Sequence, residues 1–167
     1  QLQCERGRYD EAAAELEPAL TFLEQHDGWL DIFASAYETA VTLARRRDCT
    51  MQTALALLDR IEATARTRHL SRLLDLATAW RLDVLLDLSP SPGIDLLVAD
   101  TGSEAHLVHA LEHGHCWRHS SALGFALARW HQSAGRNQAA LNLLRAVETT
   151  CLASGNQPHL ARARIRI

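Results

Sequence analysis

Residues 53–88 read TALALLDRIEATARTRHLSRLLDLATAWRLDVLLDL, and this segment carries the clearest signal of the fold class. Its apolar residues recur every three or four positions, at Ala54, Leu58 and Ile61 and again along residues 70–88. That spacing is typical of amphipathic helices. The whole composition agrees, because 28 Leu and 27 Ala stand against five Val and five Ile, a bias toward helix formers. The sequence therefore predicts an all-α protein.

The same pattern recurs along the chain at a regular interval. Ala12, Ala54 and Ala140 each open a frame in which Leu follows four residues later and a small or apolar residue three residues after that. Ala12 and Ala54 are 42 residues apart, and Ala54 and Ala140 are 86 apart, twice 43. A period of about 42–43 residues predicts stacked helix hairpins in a single repeat domain over residues 1–167. We expect its repeat frames at residues 7–20, 51–65 and 135–151, with a degenerate copy at 94–112.

The first frame resembles the tetratricopeptide repeat in the turn and second helix of its hairpin. Its matching residues are Gly7, Tyr9, Ala12, Leu16 and Ala19. The usual tetratricopeptide period is shorter, so this resemblance implies longer helices than usual. It implies a right-handed superhelical solenoid of antiparallel helix hairpins, with a concave groove lined by the first helix of each hairpin. In the register set by Ala54 and Ala140, with a shift of one residue for the first three, the expected groove residues are Ser35, Glu38, Thr42, Phe125, Arg129 and Gln132. The alternative is that these are ordinary solvated helix positions.

Residues 53–88 also resemble the sensor region of MalT-like, LuxR-type bacterial transcriptional regulators with a large ATP-binding domain. The resemblance implies a regulatory module that binds an inducer or a partner protein and belongs to a transcription activator. It places ATP in a separate upstream domain, so no cofactor is expected in this segment. The alternative is an adaptor-type tetratricopeptide-like domain that binds a peptide of another protein. Because the chain begins at Gln1 and ends at Ile167 within helix-like patterns, we expect it to be part of a longer protein.

A histidine-rich segment carries a third, different hypothesis. His109 and His113 stand one helical turn apart, a spacing that presents two imidazoles to one metal ion, and Cys116 or His119 would supply a further ligand. The alternative is that these polar residues decorate a helix end and a loop.

The sequence has no nucleophile and base in a motif, no paired carboxylates in a motif and no phosphate-binding loop, so we expect no enzymatic activity.

The charge balance bears on the partners. Seventeen basic residues, all Arg, stand against 20 acidic ones, giving a net charge of −3, so no basic field favours direct nucleic-acid binding. No apolar run has the length of a membrane helix, and we expect a cytoplasmic protein. The expected partners are a protein, a small-molecule effector or a second copy of the chain.

Arg162, Arg164 and Arg166 alternate with apolar residues as in a strand, but the repeat period predicts the solvated side of a helix.

Overall fold

A computed structural model describes residues 8–25, 30–47, 51–88, 108–109, 111 and 117–166. These residues form helices and turns without any strand, which confirms the predicted all-α class for this part of the chain. The helices are α1 (Tyr9–Gln25), α2 (Leu30–Arg47), α3 (Gln52–Thr67), α4 (Ser71–Asp87), α5 (Trp117–Ser133), α6 (Asn137–Ser154) and α7 (Gln157–Arg166). The alternating arginines near the end of the chain thus lie on a helix, where Arg162 and Arg164 are exposed as predicted. Among the described residues, no helix has both the length and the apolar character needed to cross a membrane.

The chain divides into two compact units, Gln1–Ala77 and Thr78–Ile167, and the boundary falls within α4. In unit 1, α2 packs against both α1 and α3. In unit 2, α6 packs against both α5 and α7. Each helix in these pairs is joined to the next by a few residues. The prediction of one repeat domain over residues 1–167 stays a prediction.

The repeat frames at residues 51–65 and 135–151 form buried helix stripes. Ala54, Leu58 and Ile61 on α3 are fully buried, and Ala140, Leu144 and Val147 on α6 are at most 1% exposed. In the frame at residues 7–20, α1 buries Ala12 and Leu20 but leaves Ala19 exposed. The degenerate frame at 94–112 lies outside the described residues except for positions 108, 109 and 111.

Helix α5 is the centre of unit 2 because it is buried on two sides. Leu123, Leu127 and Trp130 pack in one cluster with residues of α4, including Leu82 and Leu86. Other α5 residues belong to a second cluster, with α6 and α7: Phe125 and Ala128 pack there with Ala140, Leu144, Val147, Cys151, Leu160 and Ala163. A helix buried on two faces is typical of an inner layer.

Gly124 marks a close approach between α5 and α6. A Cβ atom added at this position would lie closer than 3.0 Å to the Cγ2 atom of Val147, which is itself fully buried. Only glycine therefore fits this crossing without displacing a neighbour.

Three described turns use the same helix ending. Helices α3, α5 and α6 are followed by a residue in the left-handed region, His69 (φ 55°), Gly135 (φ 72°) and Gly155 (φ 69°). After α3, the Leu70 N–H donates to the Ala65 carbonyl at 2.8 Å, and the equivalent bond follows α5 and α6. This hydrogen-bond pattern is the Schellman motif, in which glycine is the residue best suited to positive φ. His69 occupies that position at a steric cost.

Candidate functional site

A cleft of about 350 Å³ opens in unit 1 between α1, α2 and α3. Four leucines line it, Leu16 and Leu20 from α1, Leu43 from α2 and Leu57 from α3. The alanines Ala13, Ala40, Ala44 and Ala56 complete its apolar surface. Because an alanine side chain ends at Cβ, alanines on three neighbouring helices leave space that larger side chains would fill.

Four polar residues also line this cleft, Glu17, Arg47, Thr53 and Arg60. Arg47 is the last residue of α2 and Thr53 lies in the first turn of α3, so these two stand at the same end. The Nε atom of Arg47 pairs with Asp10 Oδ1 at 2.7 Å, which places the start of α1 at this end as well. Glu17 and Arg60 lie further along their helices.

Arg60 joins α3 to α1 through two carboxylates. Its Nη1 donates to Glu17 Oε1 at 2.9 Å, and its Nη2 donates to Glu24 Oε2 at 2.6 Å. The hydrogen bond to Glu24 raises the pKa of the Arg60 guanidinium above its ordinary value, although burial opposes the rise. From the end of the same helix, Arg68 Nη2 donates to the backbone carbonyl of Glu24. The second half of α1 is thus held against α3 by charge-assisted hydrogen bonds.

The fully buried Tyr37 on α2 completes this network. Its hydroxyl donates to Glu24 Oε1 at 2.6 Å, so one carboxylate receives hydrogen bonds from two helices. Burial of the ring raises the pKa of the Tyr37 hydroxyl well above its ordinary value, and the Glu24 carboxylate raises it further. Both effects favour the neutral phenol.

The groove residues expected on α2 do not line the cleft. Ser35 and Glu38 are half-buried and Thr42 is exposed, all within unit 1. The cleft uses a different set of α2 positions, which includes Leu43 and Arg47.

The other expected groove residues lie on α5, in unit 2. Phe125 belongs to the core there rather than to an open surface, because it is only 4% exposed. Helix α7 covers it: the ring stacks on His159 with 6.2 Å between centroids, and the Arg162 guanidinium lies 4.5 Å from its centroid. Gln132 is exposed, as a groove residue would be.

Arg129 is engaged with two carboxylates of α4. Its Nη1 donates to Asp83 Oδ1 at 2.8 Å and to the Asp83 carbonyl at 3.0 Å, and its Nη2 donates to Asp87 Oδ1. Burial of the guanidinium lowers the pKa of Arg129, but these hydrogen bonds outweigh burial, so the net pKa lies above its ordinary value. With its side chain 28% exposed, Arg129 holds α5 to α4.

The residues of the metal hypothesis are only partly described. His109 is exposed, and His119 is buried near the start of α5. His113 and Cys116 lie outside the described residues. Within the described ranges, no three His, Cys, Asp or Glu side chains are grouped as metal ligands would be.

Sequence reasoning did not predict the cleft or the two arginine clamps. These clamps are the ion pairs of Arg60 with Glu17 and Glu24, and of Arg129 with Asp83 and Asp87. The available signal was the alanine content of α1, α2 and α3, because small residues on facing helices leave space. The partners of Arg60 and Arg129 lie 36 to 46 residues away, so they depend on how two helices are aligned.

Comparison of the chain with protein-family models, curated proteins and solved structures found no match.

Proposed function

We propose that this chain is a binding module built as a right-handed superhelical solenoid of antiparallel helix hairpins, as its resemblance to the tetratricopeptide repeat implies. The arginine clamps support this architecture. Arg60 pairs with Glu17, 43 residues earlier, and Arg129 pairs with Asp87, 42 residues earlier. In stacked hairpins, equivalent positions of successive repeats are neighbours one period apart. The other two pairs of these arginines, Arg60 with Glu24 and Arg129 with Asp83, span 36 and 46 residues. The four separations thus lie around the sequence period of 42–43 residues.

The observation that carries a binding role is the cleft of unit 1. Its volume of about 350 Å³ lies within the range of small-molecule sites, about 300–1,000 Å³. Its wall of leucine and alanine side chains, with a few polar groups, is also typical of such sites. A small-molecule effector therefore fits the cleft better than a folded partner would.

The role we propose is that of the sensor region of a transcription activator similar to the MalT-like regulators. An effector changes a conformational equilibrium only if it binds one state more tightly than the other. Binding in the cleft provides such a difference in affinity, because Arg60 lines the cleft and also holds α1 through Glu17 and Glu24. An effector in the cleft lies beside the contact that sets the spacing of α1 and α3.

The coding sequence on both sides of the chain tests the regulator proposal. It predicts a phosphate-binding loop upstream and a helix-turn-helix downstream. Finding neither would contradict it and would favour the adaptor-type domain that binds a peptide of another protein.

A ligand panel tests the cleft itself. We expect at least one class among sugars, anionic amphiphiles, cationic amphiphiles and neutral amphiphiles to raise the melting temperature of the chain, since a ligand that binds only the folded state stabilises it. Ala56→Trp fills the cleft from an exposed position and should abolish this rise.

Ala63→Trp is the matched control. Ala63 is also exposed, lies on the same helix two turns further on, and does not line the cleft. This variant should respond to ligands as the unsubstituted chain does. The binding proposal fails if no class raises the melting temperature, or if Ala56→Trp and Ala63→Trp respond alike.

A further inference from the structure

The apolar residues of the cleft lie on three helices, together with Arg47 towards one end of these helices and Arg60 further along. Leu43 lies one turn from Arg47 on α2, and Leu57 lies between Thr53 and Arg60 on α3. On α1, Leu16 and Leu20 lie on either side of Glu17, the partner of Arg60. No charged residue of the lining lies between these two ends other than Glu17, which pairs with Arg60. The walls therefore suit an apolar chain rather than a polar ligand.

The end at Arg47 holds an ion pair that is open to solvent. Thr53 stands beside it in the first turn of α3, where the helix dipole is positive, and that turn contains no acidic residue. The carboxylate that pairs with Arg47 is that of Asp10, whose side chain is 88% exposed. A pair formed with so exposed a carboxylate is weak, so an anion bound in the cleft can replace it.

The end at Arg60 is different, because the carboxylates that pair with Arg60 are less exposed than Asp10. Arg60 donates to Glu17 and to the half-buried Glu24, which also accepts from Tyr37. A ligand anion there would have to displace a carboxylate held by two helices. The two ends of the cleft therefore differ in the charge that they can accept.

We propose that the cleft binds a small amphiphilic carboxylate, with its carboxylate on Arg47 and its apolar chain along the four leucines. This inference rests on the proposed binding function of the same cleft and names its ligand class. Arginine suits this role because its guanidinium can donate two parallel hydrogen bonds to one carboxylate.

Calorimetric titration of the 167-residue chain tests the inference with three probes of equal chain length: decanoate, 1-decanol and decylamine. We expect decanoate to bind with one site per chain, 1-decanol to bind more weakly, and decylamine not to bind. Arg47→Gln should weaken decanoate binding by about tenfold, as expected for loss of a charge-assisted hydrogen bond, and leave 1-decanol unchanged.

Arg46→Gln provides the control for charge. Arg46 is the neighbouring exposed arginine, donates to the Tyr9 hydroxyl at 2.9 Å, and does not line the cleft. It should leave decanoate affinity unchanged. Ala56→Trp should remove binding of both decanoate and 1-decanol, and Ala63→Trp should leave both as they are.

The inference is overturned if 1-decanol or decylamine binds as tightly as decanoate, or if Arg47→Gln and Arg46→Gln have equal effects. Its failure can be told apart from failure of the proposed function. If another ligand class stabilises the chain and Ala56→Trp abolishes that effect, the cleft is a binding site but the carboxylate class is wrong. If no class stabilises the chain, both proposals fail.

Discussion

Replacing Gly124 with alanine tests the packing of unit 2, because the substitution has opposite effects on helix formation and on packing. The new Cβ would lie closer than 3.0 Å to Val147 Cγ2, against about 3.5–4.0 Å for an ordinary carbon contact. Val147 is fully buried and β-branched, so it has little freedom to rotate away. Overpacking of this kind costs about 1–3 kcal/mol, and the better helix propensity of alanine returns about 1 kcal/mol. We expect a net loss of up to about 2 kcal/mol.

Urea unfolding followed by circular dichroism measures this loss, and a double mutant isolates its cause. In a Val147→Ala background the clashing Cγ2 is absent, so Gly124→Ala should instead stabilise the chain by about 1 kcal/mol through helix propensity. The reversal of sign is the decisive result. If Gly124→Ala stabilises the chain when Val147 is present, the close approach of α5 and α6 is wrong.

Three further predictions concern a turn, a buried phenol and an ion pair. His69→Gly should stabilise the chain by about 1 kcal/mol, because glycine tolerates the positive φ, whereas His69→Ala should gain nothing; thermal unfolding measures both. The free energy of unfolding should fall above pH 10, by about 1.4 kcal/mol per pH unit for one proton. The reason is that the raised pKa of Tyr37 keeps the phenol protonated in the folded state at a pH where it has ionised in the unfolded state. Tyr37→Phe should remove this contribution in urea titrations at pH 9–12. Arg129→Gln should cost about 1–3 kcal/mol by urea unfolding, because its α4 carboxylates lose their charged donor, whereas Arg164→Gln, at an exposed pair, should cost less than about 1 kcal/mol.

The sequence predicted the helices well where one face is apolar. The frames that begin at Ala54 and Ala140 form fully buried stripes. A segment with an apolar residue every three or four positions has few conformations, other than a helix, that bury these residues on one side. The buried positions of the first frame were predicted less accurately. Ala19 is exposed and Leu20 is buried in its place, so a one-residue difference in helix rotation changed the buried position.

The alternating arginines near the end of the chain show how helical context overrides a local pattern. Arg162 and Arg164 have the period-two spacing of a strand, yet they lie on α7 with Ala163 buried between them. One apolar position per turn is enough to hold α7 on α6.

The site could not be predicted in the same way, because it depends on contacts between helices. The cleft exists where the alanines of α1, α2 and α3 face one another, and the sequence does not give the rotation of each helix. Phe125 illustrates the same difficulty. The repeat register can place it on a helix face, but whether another helix covers that face depends on tertiary packing.

The most direct test of the central claim is a methyl NMR titration of the chain with decanoate. If the cleft binds decanoate, chemical shifts should change for the alanine and leucine methyls of the cleft, above all Ala44, Ala56, Leu43 and Leu57, while Ala63 and the methyls of unit 2 stay unchanged. Shifts that leave the cleft methyls unmoved, or that spread equally over both units, would contradict it.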